Sequence, residues 1–259
     1  MKNRLVLCFD FDGVIVDNTL CGFRKMNNIL AEIGSPPLGE SFLRNNWGKT
    51  MDEMFKIICK LMHLDDDQLA FLHQRNREIN EIEGRRLDMD LIGALLSLPQ
   101  FGFVTAIITS RNRQHLEIYA KQIGLDLGMF DYIQTVDDYP CCKPDGDVFK
   151  PLLQWAKHAV GPRAGGSIAY FGDTIKYDYQ AVLNAKTQER DIKFIGVCSG
   201  INDYEEFRVA GLDETEIIPS HDALSFYLNR LIQEKNRAIA QALSRKFAGN
   251  VDIDQYPII

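Results

Sequence analysis

Two aspartates, Asp10 and Asp12, follow the apolar run LVLCF and are followed by Gly13. Five apolar residues without alternation read as a strand buried on both faces of a parallel sheet. Glycine lets the backbone turn sharply, so both carboxylates can face a cleft at the strand's C-terminal end. If both are ionised about 4 Å apart, at an effective dielectric near 20, they repel by roughly 4 kcal/mol. Such a pair needs a cation, a shared proton or exposure to water; a solvated acidic turn is the plain alternative.

Three more segments place polar groups at strand ends. The run Phe103 to Ile108 ends at Thr109 and Ser110, Lys143 and Pro144 follow a short strand at Tyr132 to Val136, and Ile168 to Phe171 ends at Gly172 and Asp173, with Asp178 five positions on. Alone, each is an ordinary strand end, turn or loop. Together, at successive strand ends, they assemble acids, a cation and hydroxyls where a sheet binds ligands. The segment Phe9 to Asp17, FDFDGVIVD, and the other three in this order resemble the four motifs of the haloacid dehalogenase superfamily over residues 3–222. The branch they resemble is phosphoglycolate-phosphatase-like, with a helical cap.

That resemblance implies a phosphoric monoester hydrolase, and phosphoryl transfer assigns the roles. Asp10 is the expected nucleophile, forming an aspartyl-phosphate. Asp12 is the expected acid and then base, which requires a proton held by proximity to Asp10 and partial burial. Asp10, the Asp12 backbone carbonyl and Asp173 are the expected ligands of Mg²⁺, a hard ion that keeps several waters. Thr109 and Ser110 are expected to hydrogen-bond phosphate oxygens and Lys143 to neutralise them. Asp178 orients Lys143 or a metal-bound water. Four carboxylates and a phosphate dianion sum to −6; Lys143, Mg²⁺ and one proton bring this to −2. Two features depart from the commonest pattern: the five-residue spacing in GDTIKYD, and the absence of proline around Glu83, Gly84 and Arg85.

The elements that must carry these groups alternate. Apolar spacing predicts helices at Thr19 to Gly34, Met51 to Met62, Gln68 to Ile82, Leu87 to Leu98, Gln114 to Ile123, Val148 to Ala159 and from Tyr179, with further strands at Phe194 to Cys198 and Glu216 to Ile218. This predicts an α/β doubly wound parallel sheet. Residues 1–17 and 85–222 form the expected core, and 18–84 an all-helical cap inserted after the first strand. A terminal helix, Asp222 to Arg245, and the tail to Ile259 are expected to pack on the core. Between cap helices, Arg44 to Thr50 reads as a polar loop over the leaving group; there Arg44 or Lys49 reads an anionic substrate, or the loop is a solvated helix entry with Trp47 packed as a staple.

With 259 residues, 46% of them hydrophobic, the chain can bury a real core. A net charge of −7 argues against nucleic acid or an anionic membrane surface as partner. The expected partner is a small phosphorylated metabolite, with a homodimer left open. No signal-peptide pattern or long apolar span occurs, and six cysteines without CxxC, Cys8 and Cys198 in core strands, read as free thiols of a cytoplasmic protein. The five histidines read as structural. A sugar phosphomutase or a phosphonatase (cap lysines Lys25, Lys49, Lys56 and Lys60) shares the core, and a non-catalytic phosphate- or Mg²⁺-binding module is the alternative from another class. Asp12 argues against a dehalogenase, and the length against a signalling receiver.

Overall fold

A computed structural model describes residues 5–78, 87–160, 168–186 and 192–248. Six parallel strands form one sheet in the order β3-β2-β1-β4-β5-β6: β1 (Leu5–Phe9), β2 (Phe103–Ile108), β3 (Tyr132–Gln134), β4 (Ile168–Gly172), β5 (Ile192–Val197) and β6 (Ile217–Ile218). The chain starts in the middle and reverses direction between β1 and β4, so a switch point lies beside Asp10. Leu7 and Phe9 face one apolar layer, Val6 and Cys8 the other, which is why β1 shows no polar alternation.

Helices on both faces complete the layers. Leu91, Ala94 and Leu95 of α5 (Met89–Ser97) and Leu224, Leu228 and Ile232 of α10 (Ala223–Ala248) pack on the Phe9 face, joined by α6 (Arg113–Ile123). The opposite face receives α7 (Lys150–Ala159), α8 (Gln180–Lys186) and α9 (Tyr204–Val209). Lys235 of α10 reaches the Gly102 carbonyl at 3.0 Å over the Phe103 ring.

Between β1 and α5 the described chain is helical: α1 (Thr19–Glu32), α2 (Glu40–Asn46), α3 (Met51–Met62) and α4 (Asp66–Glu78). These four share a separate apolar cluster built on Met26, Ile29, Leu30, Phe55, Ile58 and Leu72. Thr50 and Glu53 form a reciprocal capping box that fixes where α3 starts. The expected end of the α4 helix, the Glu83–Arg85 linker, the boundary at 84–85 and residues 249–259 of the tail lie outside the described residues.

Several sequence expectations need correction. Helix α2 occupies part of the stretch read as a loop, leaving 47–50 as the connection, and α9 was not anticipated. Each is about two turns long and buries one residue, Leu43 or Phe207, too little to produce a visible period. Strand β3 ends at Gln134, and β5 begins at Ile192 and ends before Cys198, which is half-buried past the strand. Among the described residues no helix is long and apolar enough to cross a membrane.

Candidate active site

The carboxyl ends of β1 and β4 and the loop carrying Lys143 converge on a buried charged centre. Lys143 Nζ donates to Asp10 Oδ2 and to Asp178 Oδ1, each at 2.7 Å, and to the Tyr170 hydroxyl at 3.1 Å. Tyr170 in turn donates to Asp178 Oδ1 at 2.8 Å. Lys143 is 6% exposed, Asp10 5% and Asp178 1%. Asp10 Oδ1 accepts from the Phe11 backbone N–H at 2.7 Å, which fixes its rotamer.

Asp178 arrives through an unusual turn. Residues Ile175–Tyr179 form a π turn, opened by Thr174, whose backbone N–H and hydroxyl donate to Asp178 Oδ2 at 3.0 and 2.5 Å. The wide turn takes up the long Asp173–Asp178 spacing and brings Asp178 back under Lys143. Asp173, 1% exposed, accepts from Ser199 at 3.2 Å. At Gly13, with φ of +77°, a Cβ would lie 2.2 Å from Asp173 Oδ2, so the turn after Asp12 admits only glycine without displacing that carboxylate.

Ligand oxygens of Asp10, Asp173 and Asp178 lie within 4.8 Å of one another. Three buried carboxylates face one ammonium. Burial pushes Asp10 up to about 7, the Lys143 charge opposing and Asp178 adding. Burial, then Asp178 and Asp10, hold Asp173 well above the ordinary carboxylate range. Burial works against the charge on Lys143, but Asp10 and Asp178 outweigh it and raise its pKa. The centre is thus short of positive charge, and its all-oxygen donor set suits a hard cation such as Mg²⁺.

Asp12 lies outside this buried knot. Arg111 grips it with a forked pair, Nε to Oδ2 and Nη2 to Oδ1 each at 2.7 Å, and Asn18 also donates to Oδ1. The guanidinium lies over the Tyr119 ring, 4.5 Å from its centroid. The expected charge sum omitted this cation: counted as an ion pair, Asp12 and Arg111 are neutral together, so Arg111 takes the place of the proton counted on Asp12 and the sum stays at −2.

A cavity of about 500 Å³ opens over Asp10, Asp12 and Asp173, between α6 and the helices α1 to α4. Ser110 and Lys49 line it. Thr109 is 3% exposed and sits below the lining, accepting from the Arg111 N–H at 3.1 Å. Arg44 does not line the cavity, which corrects the expectation of a substrate contact there. Its guanidinium bonds Glu40 and the Ile201 carbonyl and draws near Glu206. Other bonds cross the same seam: Ser110 to the Gly48 carbonyl at 2.9 Å, and Lys176 and Tyr177 to the Asn45 carbonyl at 2.8 and 3.1 Å. Trp47 packs edge-on against Phe23 of α1, 5.2 Å between centroids, and lines the cavity.

Sequence reasoning missed Arg111, Tyr170 and Ser199, while His73 and His115, read as structural, line the cavity. Two of these had a signal. Arg111 follows Thr109 by two residues in the same strand-end loop, and a tyrosine inside the buried run IAYFG must find a partner for its hydroxyl.

Buried acids at the carboxyl edge of a parallel sheet, beneath a covered cavity, define an α/β enzyme of the strand-end type. Residues 7–197 match the haloacid dehalogenase-like hydrolase family, and the chain belongs to that family. It is 26% identical over 190 residues to a phosphoglycolate phosphatase of Rhodobacter capsulatus, covering 69% of this chain and 80% of that one. A hydrolase from Pseudomonas syringae superposes with a TM-score of 0.66 at 22% identity, covering 88% of this chain and 99% of that one. A Thermotoga maritima protein described as a β-phosphoglucomutase gives 0.64 at 18% identity, covering 88% and 99%. At such identities the structural likeness is one of fold.

Proposed function

We propose that this protein is a Mg²⁺-dependent phosphatase that hydrolyses a small phosphorylated metabolite through an aspartyl-phosphate on Asp10. The observation that supports the reading is the Asp10–Lys143–Asp178 knot, a carboxylate held by a buried cation and the Phe11 N–H at the floor of the cavity. Asp10 Oδ1 or Oδ2 attacks phosphorus, and Lys143 balances charge on the transferring group. The Ser110 backbone N–H, beside a hydroxyl committed to the Gly48 carbonyl, and the Thr109 hydroxyl, which keeps its proton to donate, serve the phosphate oxygens. Asp12, once released, takes up the proton that a monoanionic phosphate ester carries in, hands it to the leaving alcohol and later takes one from water. Its grip by Arg111 implies an exchange of partners: an arriving phosphate competes for the guanidinium and releases Asp12 for proton transfer. Asp10, Asp173 and the Asp12 carbonyl would hold Mg²⁺, which supplies charge neutralisation at the phosphoryl oxygens. The four-helix segment over the cavity acts as a cap that excludes water.

The test is phosphate release from a panel of phosphomonoesters with Mg²⁺ or with EDTA. Release that EDTA abolishes is the expected result; none from any ester overturns the reading, and isomerisation of a sugar phosphate without release replaces it by a mutase.

Metal binding should show in stability. Asp10 and Asp173 bind protons more tightly in the fold than in the unfolded chain, where carboxylates titrate near 4. The metal-free protein therefore loses stability as pH rises from that range through about 7, the folded value for Asp10. Added Mg²⁺ relieves the same repulsion, so its increase in melting temperature should be larger at pH 8 than at pH 5. An increase independent of pH would place Mg²⁺ away from these carboxylates.

Arg111→Lys keeps the charge but loses the fork. With one charge-assisted bond worth about 1.5–3 kcal/mol, kcat/KM should fall roughly ten- to a hundredfold. Steady-state kinetics on the best panel substrate checks this, and an unchanged value would detach Arg111 from the reaction.

A further inference from the structure

The size and lining of the cavity point past the ester named for the relative. We infer that the leaving group is an uncharged, ring-bearing alcohol of nucleoside size, seated between the cap helices and α6, and that a two-carbon acid is a poor substrate. The inference rests on the phosphatase reading above.

The first observation is room. A cavity of about 500 Å³ lies within the roughly 300–1,000 Å³ that encloses a drug-sized ligand. A phosphate on a two-carbon acid occupies only the floor near Asp10 and leaves the rest to water. The second is the wall. Phe23 and Trp47 bring rings to it and Met51 a flexible thioether side chain that adapts to a flat partner, backed by the buried Met26, Met54 and Tyr119. A short acid leaves that wall wet, whereas a ring buries it at about 25 cal/mol per Å² of apolar surface.

The third is the polar complement. Asn76, Gln114, His73 and His115 line the same space. Amides and imidazoles pair with ring heteroatoms and hydroxyls, donating to some and accepting from others. Across the lining the cations Lys25, Lys49, Arg77 and Arg111 are outnumbered by Asp10, Asp12, Asp52, Asp137 and Asp173, and Lys25 is tied besides to the Asn76 carbonyl at 2.7 Å. The wall therefore carries no net positive field of the kind that selects a second anionic group. Arg44, the cation expected to do so, lies on the seam.

The experiment uses the purified full chain with Mg²⁺ and measures kcat and KM for acetyl phosphate, phosphoglycolate, uridine 5′-monophosphate and pyridoxal 5′-phosphate. The expected result is a kcat/KM at least tenfold higher for one of the two ring-bearing esters than for phosphoglycolate, with most of the difference in KM. Phosphoglycolate equalling or exceeding both overturns the inference while leaving the phosphatase intact. Silence from all four, acetyl phosphate included, overturns the phosphatase reading and the inference with it. Two variants read the wall directly. Trp47→Ala removes ring surface, and Ile118→Trp, at a 47% exposed position on the cavity wall, narrows the space without disturbing a core. Each should lower the ratio of ring-ester to acetyl phosphate kcat/KM at least fivefold; an unmoved ratio in both counts against a ring in this cavity.

Discussion

Replacing Asp10 by asparagine is expected to lower turnover by at least about 10⁴-fold, the scale seen when a covalent nucleophile is removed. The fold should survive. The asparagine amide is nearly isosteric, its oxygen can still accept from the Phe11 N–H, and Lys143 keeps Asp178 as a partner at 2.7 Å. The substitution also withdraws one carboxylate from a centre holding three against one ammonium. The melting temperature of the metal-free protein should therefore stay level or rise, while Mg²⁺ should raise it less than in the parent. Both are read in one thermal-shift series beside the activity assay. A variant that keeps a tenth of its activity would sink the covalent mechanism.

Lys143→Met should fail in a different way. The methionine fills a similar volume but leaves Asp10 and Asp178 without their shared cation at a buried site. Removing one partner of a buried ionic group costs about 3–5 kcal/mol, because the remaining charge is uncompensated. Activity should fall by at least about 10³-fold, since a missing cation opposite a transferring phosphoryl group removes several kcal/mol of transition-state stabilisation. The sign of the pH dependence separates the two effects. Metal-free Lys143→Met should be least impaired in stability near pH 5, where the acids can protonate, and most impaired near pH 8. A stability deficit that does not change with pH would mean that Lys143 acts through packing alone.

The fold was legible where a local signal matched a global role. An unbroken apolar run such as Leu5–Phe9 has one sensible home, the middle of a parallel sheet, and the polar residues ending such runs fall where the chain can present them. Helices with long apolar faces, such as Met51–Met62, were read to the residue because period and capping box agree. Short helices that bury one side chain carry no period, so Glu40–Asn46 went unseen.

In the site, Asp10, Lys143, Asp173 and Asp178 were singled out by strand-end position, and the structure brings them together. Arg111 was passed over because its forked pair with Asp12 spans 99 positions, and its place two residues after Thr109 does not by itself announce that partner. Arg44 was misplaced for a related reason. A cation in a polar stretch next to a cavity can turn either way, and here the Ile201 carbonyl, 157 positions away, decides the direction. The length of the Asp173–Asp178 spacing looked like an irregularity until the π turn gave it a use.

The seam between the helical segment and the sheet has a consequence for how such proteins diversify. Ser110, Lys176 and Tyr177 all belong to the sheet side, and what they grasp on the other side is main chain, the carbonyls of Gly48 and Asn45. Apart from Arg44, which grips the Ile201 carbonyl, and Gly48, where a Cβ would meet the Tyr177 ring at 2.7 Å, a joint that recognises backbone depends little on which side chains hang from the segment. The residues that meet the ligand can then be exchanged wholesale, as an interchangeable tool head on a fixed handle, provided the incoming segment traces the same path at those two carbonyls. A chimera carrying a foreign helical segment should keep its docking and its acid chemistry while taking its ligand preference from the donor.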